Sequence, residues 1–89
     1  MNYIHYDLGS LKKGRTVEVH LQGKSANIKL LDSRNYFEYE NGRTHDFIGG
    51  YTEQTPIKLK TTHYCHWHIV ADMKGIKGTT IKITANILP

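Results

Sequence analysis

Regular alternation of apolar and polar residues is the feature that most constrains the fold of this chain. In residues 16–22, Val17, Val19 and Leu21 lie on one side of an extended chain, and the polar residues between them lie on the other. The same pattern recurs in residues 26–31, 56–60, 64–72 and 79–88. No window repeats apolar residues at helical spacing over three turns, and the alternating runs are rich in β-branched and aromatic residues. The pattern therefore predicts an all-β fold, either a small antiparallel β-sandwich or a partly open barrel.

Turn-forming residues between these runs predict how the strands connect. Gly23-Lys24-Ser25 separates the first two long runs, which we therefore expect to pair as a hairpin. Residues 74–78 separate the last two runs and predict a second hairpin. A further strand is expected in residues 2–6. The residues predicted to fill the core are Val17, Val19, Leu21, Ile28, Leu30, Trp67, Ile69, Ile81, Ile83 and Ile87.

Length and composition restrict the class of protein. Eighty-nine residues fit one domain, so we expect residues 1–89 to fold as a single all-β unit. Cys65 is the only cysteine and cannot form an internal disulfide, and the N-terminus lacks the basic and apolar regions of a signal peptide. No apolar run reaches the roughly 18 residues of a transmembrane helix. These features favour a cytoplasmic protein with no membrane role.

The net charge of +4 favours acidic partners such as phosphates or nucleic acid only weakly, because the basic residues are scattered along the chain. Dispersed lysines are typical of a solvated surface. Charge alone therefore does not identify a partner.

The central segment, residues 32–51, interrupts the strand pattern and carries the best candidates for recognition. Its aromatic rings offer flat apolar faces, and its amide, guanidinium and imidazole groups offer directional hydrogen bonds. Rings beside polar groups suit a small polar ligand, either nucleotide-derived or sugar-like. The alternative is that the rings cap one end of the sandwich and that the Asn-Gly and Gly-Gly pairs form turns. The predicted ligand-binding residues are Asn35, Tyr36, Tyr39, Arg43 and His45.

A second cluster, residues 63–68, contains three of the six histidines. In a strand His66 and His68 project from one face, as histidine pairs do in some metal sites, whereas Cys65 projects from the other. We favour the interpretation that both histidines are solvent-facing on the outer side of a strand whose inner side carries Trp67. We therefore expect no metal ligands and no cofactor.

Catalytic motifs are missing from the chain. It contains neither a G-x-S-x-G nucleophile motif nor a phosphate-binding G-x-x-x-x-G-K-[ST] loop, and in a strand Cys65 points away from its neighbouring histidines. The sequence predicts no catalytic residues and a protein that is not an enzyme.

The order of several short motifs carries a family resemblance over nearly the whole chain. HYDLG at residues 5–9, LLDSRN at residues 30–35, and the later Asn41-Gly42, Gly49-Gly50 and His66-Trp67 pairs occur in sequence. This chain resembles a family of small bacterial domains of unknown function, found alone or fused to TIR domains. The resemblance implies a compact all-β fold, a TIR-domain protein as a partner, and a place in bacterial signalling or antiphage defence.

The family's role is unassigned, so the resemblance transfers no site residues. It does imply that part of the central segment is architecture, which leaves Tyr36, Tyr39, Arg43 and His45 as the stronger recognition candidates. Residues 61–65 depart from the family pattern, because the turn before the tryptophan strand usually contains glycine.

Our leading hypothesis from sequence is a non-enzymatic recognition module that binds a small polar ligand. The alternatives are single-stranded nucleic-acid binding, through basic residues and exposed tyrosines, and a protein–protein interaction or homo-oligomerisation domain that uses open strand edges.

Overall fold

A computed structural model describes residues 3–73 and 81–89. Two antiparallel sheets pack face to face, which confirms the predicted all-β sandwich. The four-stranded sheet has the order β1-β6-β3-β4, and the three-stranded sheet has the order β5-β2-β7. The elements are β1 (Tyr3–Leu11), β2 (Thr16–Gln22), β3 (Ala26–Asp32), α1 (Ser33–Glu40), β4 (Ile48–Thr52), β5 (Ile57–Lys60), β6 (Cys65–Asp72) and β7 (Lys82–Ile87).

The core lies between the two sheets and is built from the apolar sides of the alternating runs. Nine of the ten predicted core residues are buried, and Ile87 is partly buried against the same cluster. β2 contributes Val17 and Val19, both fully buried, and β6 contributes Trp67 and Ile69. Alternation therefore predicted correctly which side of each strand faces inward.

The predicted strand pairing was wrong at both hairpins. β2 pairs with β5 and β7, whereas β3 pairs with β6 and β4, so the segment at Gly23 carries the chain from one sheet to the other. β6 and β7 likewise lie in different sheets, and residues 74–78, the predicted turn between them, fall outside the described residues.

The helix α1 was not predicted from the sequence. α1 begins directly after β3, where Asp32 accepts a hydrogen bond from the backbone N–H of Asn35 at 2.9 Å and so caps the helix. Its tyrosines cover the outer face of the four-stranded sheet and form a small second core with Leu31 and Val70. Within residues 3–73 and 81–89, no helix has the length and apolarity needed to cross a membrane.

Candidate functional site

A layer of stacked rings fills the space between α1 and the outer face of the four-stranded sheet. The ring of Tyr36 stacks over His5 on β1 and His68 on β6, with centroid separations of 4.3 and 4.4 Å. The two imidazoles are joined by a 2.9 Å hydrogen bond between His5 Nε2 and His68 Nδ1. Burial, followed by the hydroxyl of Tyr3, raises the pKa of Tyr36, so its phenol is neutral at physiological pH.

The hydrogen bonds around His68 determine its tautomer. The Ser33 hydroxyl donates to the backbone carbonyl of His66, so its oxygen accepts from His68 Nε2–H at 3.2 Å. Burial lowers the pKa of His68, so its ring is neutral at neutral pH and its Nδ1 accepts from His5 Nε2–H. His68 is only 8% exposed, so the interpretation of it as a solvent-facing histidine was wrong. It is covered because α1, which was not predicted, lies over this face.

His66 stays closer to solvent on the same face. Its Nε2 lies 2.5 Å from Oδ1 of Asp7, which also accepts the backbone N–H of Gly9. Bonding to Gly9, then to His66, lowers the pKa of Asp7.

We expect His68 to make stability depend on pH. Burial, followed by repulsion from His5, lowers the pKa of His68 below its ordinary value of 6.5. The unfolded chain therefore binds a proton more readily, and the free energy of unfolding falls as pH drops from about 6.5 toward the folded-state pKa. Each pKa unit of difference corresponds to about 1.4 kcal/mol. Urea unfolding of the wild type and of His68→Gln between pH 7.5 and 5 measures the difference.

The variant His20→Gln is the matched control for this prediction, because His20 is exposed on the other sheet and pairs with Glu18. His68→Gln should flatten the slope more than His20→Gln does. An unchanged slope in His68→Gln would contradict the assignment. The Asp7 carboxyl does not interfere, since its effect on stability is lost only below pH of about 4.

Tyr39 also packs inside this layer of rings. Only 4% of it is exposed, its hydroxyl donates to the carboxylate of Asp72, and its ring meets that of Tyr3 edge-on at 5.1 Å. Burial and the Asp72 carboxylate raise the pKa of Tyr39. These contacts hold the C-terminal half of α1 against the sheet.

A depression lies beside the N-terminus of α1. It consists of two adjoining pockets, of about 260 and 440 Å³, that share Asp32, Asn35 and Asp46. The first pocket lies above Trp67 at one end of the sandwich. Its other lining residues are Leu30, Phe47, Ile48, Thr62 and His63, and the second pocket adds Arg34, Glu38, Thr44 and His45.

Asn35 organises the depression. Its side-chain N–H donates to Asp32 Oδ1 at 2.9 Å, and its carbonyl oxygen accepts the backbone N–H of Asp46 at 2.8 Å. The loop after α1 is therefore tied to the start of the helix. On the same loop His45 Nδ1–H donates to the carbonyl of Arg43, and its Nε2 accepts from the ammonium of Lys29 at 3.0 Å.

The wall of the depression is mainly acidic, although the chain carries a net positive charge. Asp32, Glu38 and Asp46 contribute three carboxylates, and one guanidinium, that of Arg34, lines the same surface. The ring of Phe47 is 43% exposed at the margin. Carboxylates accept hydrogen bonds from hydroxyl groups, so this lining offers acceptors that suit a hydroxyl-bearing ligand.

The structure separates the five predicted ligand-binding residues. Asn35 and His45 line the depression. Arg43 lies at its rim, where its Nε donates to Glu38 at 3.0 Å and its guanidinium lies over the ring of Phe37. Tyr36 and Tyr39 lie elsewhere, in the layer between α1 and the sheet.

Three lining residues of the depression were not among the binding residues predicted from sequence: Asp46, Thr62 and His63. These residues reach the depression from two loops that are distant in sequence. His63 was considered only as part of the histidine run, and nothing local marks Thr62 or Asp46 as neighbours of Asn35.

Comparison with known proteins identifies a family but no function. Residues 1–88 match the model of the family described as Domain of unknown function (DUF1883). No curated protein and no solved structure matches the chain.

Proposed function

We propose that this chain, which belongs to the DUF1883 family, is a recognition module that binds a small hydroxyl-rich, sugar-like ligand. The observation that carries the proposal is the depression at the start of α1, where carboxylate and amide groups converge around Asp32, Asn35 and Asp46 beside an exposed phenyl ring. Carbohydrate sites combine such acceptors with an aromatic face.

Two features give the depression a defined shape before any ligand binds. The capping bond from Asn35 N–H to Asp32 and the bond from Asp46 N–H to Asn35 fix the relative positions of the helix and the loop. Lys29 lies 4.5 Å from the ring centroid of Phe47 and orients it. Because these groups are already ordered, binding costs little conformational entropy.

A role in signalling follows from the same proposal. The resemblance described from the sequence implies an association with TIR domains, and a ligand-binding module fits the sensing part of such a protein. The partner in this proposal is therefore a TIR-domain protein of a bacterial signalling or defence system. Co-purification of this chain with TIR-domain proteins in the presence and absence of ligand tests that part separately.

The ligand proposal predicts selective stabilisation by sugars. We expect a thermal-shift panel of mono- and oligosaccharides to contain a stabilising ligand, and nucleoside phosphates to give no shift. Asp46→Asn should weaken binding of that ligand about tenfold or more, because a hydrogen bond to a charged acceptor contributes about 1.5–3 kcal/mol. Isothermal titration calorimetry measures the change.

Glu53→Gln is the matched control, since Glu53 is an exposed carboxylate outside the depression that accepts from the Tyr51 hydroxyl. It should leave affinity unchanged. The proposal fails if no sugar stabilises the protein at saturating concentration, or if Asp46→Asn and Glu53→Gln bind equally well. Stabilisation by nucleotides alone would point to a phosphate-bearing ligand instead.

A further inference from the structure

Three side chains of different chemistry converge beside the depression. The carboxylate of Asp32, at the end of β3, the imidazole of His63, in the loop before β6, and the thiol of Cys65, the first residue of β6, place one donor atom each within 4.8 Å of one another. We propose that these three residues bind a zinc ion.

The distance between two of the donors is close to that of a zinc site. Zinc bonds to nitrogen, oxygen and sulfur are about 2.0–2.3 Å long, so neighbouring donors in a tetrahedral site lie about 3.3–3.7 Å apart. His63 Nε2 and Asp32 Oδ2 are 3.1 Å apart before any ion is present. An increase of a few tenths of an ångström in this distance would therefore let both atoms bind one zinc ion.

Both of these ligands are held in position by other groups. Asp32 uses Oδ1 to accept the N–H groups of Asn35, which leaves Oδ2 directed at His63. His63 Nδ1 lies 3.1 Å from the hydroxyl of Thr62, and the indole N–H of Trp67 donates to the His63 carbonyl at 3.2 Å. With a metal on Nε2, Nδ1–H would donate to the Thr62 hydroxyl, and such a bond is a common support for a histidine ligand.

The donor set selects the type of cation. A thiolate and an imidazole favour zinc over magnesium and calcium, which take oxygen donors. Three protein donors leave a fourth coordination position for water or a bound molecule, as in zinc sites that are open to ligands. Asp32 and His63 line the 260 Å³ pocket, and the His63 side chain is 51% exposed, so solvent reaches the site.

This site differs from the histidine pair that the sequence brings to attention, and it departs from the expectation of no metal ligand. His66 is bonded to Asp7, and both ring nitrogens of His68 are engaged. Those two histidines lie on the outer face of the sheet, whereas Cys65 packs against the core between the sheets. The His-x-His spacing therefore does not mark the site.

The test uses untagged protein and metal ions alone, so it does not depend on the ligand proposed above. We expect one equivalent of Zn²⁺ to bind in competition with a chromophoric chelator, and Co²⁺ to give a thiolate charge-transfer band. His63→Gln and Cys65→Ser should each weaken Zn²⁺ binding at least tenfold and should reduce the heat of zinc addition accordingly. Cys65→Ser should also abolish the cobalt band.

Two controls keep the outcome interpretable. His66→Gln changes the residue next to Cys65 on the opposite strand face, and it should bind Zn²⁺ like the wild type. Cys65→Ala replaces the thiol with a small apolar side chain and should also lose Zn²⁺ binding, and circular dichroism before metal addition checks that it is folded. The proposal is overturned if Zn²⁺ does not bind, if Co²⁺ shows no thiolate band, or if His66→Gln weakens binding as much as His63→Gln does.

Discussion

Replacing Trp67 with alanine should lower the free energy of unfolding by about 3–5 kcal/mol, the usual cost of deleting a buried aromatic side chain. Trp67, the third residue of β6, is 2% exposed and packs between the two sheets. Its indole N–H also holds the carbonyl of His63. Domains of this kind have free energies of unfolding of about 5–15 kcal/mol, so this single change would remove a large part of the stability of an 89-residue domain. Urea unfolding followed by circular dichroism measures the loss.

Trp67→Phe separates the two contributions. It keeps most of the buried ring but removes the N–H donor, so it should cost less than Trp67→Ala and should loosen the loop that carries His63. Hydrogen exchange at residues 61–64 reports on that loosening. A loss of less than about 1 kcal/mol in Trp67→Ala would show that the ring is not part of the core, contrary to its burial.

The location of Trp67 illustrates what the sequence could predict. Burial on one side of a strand imposes a period of two, so the inward residues of β2, β6 and β7 are visible in the sequence as alternating apolar positions. That signal does not depend on which strand is the neighbour. The sandwich and nine of its ten predicted core residues follow from it.

Strand pairing could not be predicted from the same signal. A short turn such as the one at Gly23 can join two paired strands, or it can carry the chain across the core to the opposite sheet. Both arrangements bury Val19 and Ile28 equally well. Hydrogen bonding of β2 on both edges, to β5 and β7, excludes β3 as its partner, and that depends on residues more than 30 positions away.

The helix was not predicted, and only two of the predicted binding residues, Asn35 and His45, line the depression. The two shortfalls have related reasons. α1 has eight residues, too few to show three turns of apolar periodicity, and tertiary packing of Tyr36 and Tyr39 stabilises it more than its own sequence does. The rings that looked available for recognition are thereby used in packing. The depression is assembled from α1 and two distant loops, so only the folded chain brings Asp32 beside His63.

Substitution of Gly49 with alanine should destabilise the protein by about 2–6 kcal/mol. Gly49 has a φ of +113°, and a Cβ there would lie 2.3 Å from the carbonyl oxygen of Ile28 on the paired strand β3. The positive φ costs an alanine about 1–3 kcal/mol, and the contact with a backbone atom adds about 1–3 kcal/mol more because β3 cannot move without disturbing the sheet. Denaturant unfolding measures the sum.

Gly50→Ala separates the backbone conformation from the steric contact. Gly50 also has a positive φ, +145°, but a Cβ there would meet no atom within 4 Å among the described residues. It should therefore cost only the conformational part, about 1–3 kcal/mol. β4 forms an edge of the four-stranded sheet and follows directly after Phe47. Gly49→Ala should therefore also increase hydrogen exchange in residues 46–52. Equal losses in the two variants would show that β4 does not approach β3 as closely as the structure has it.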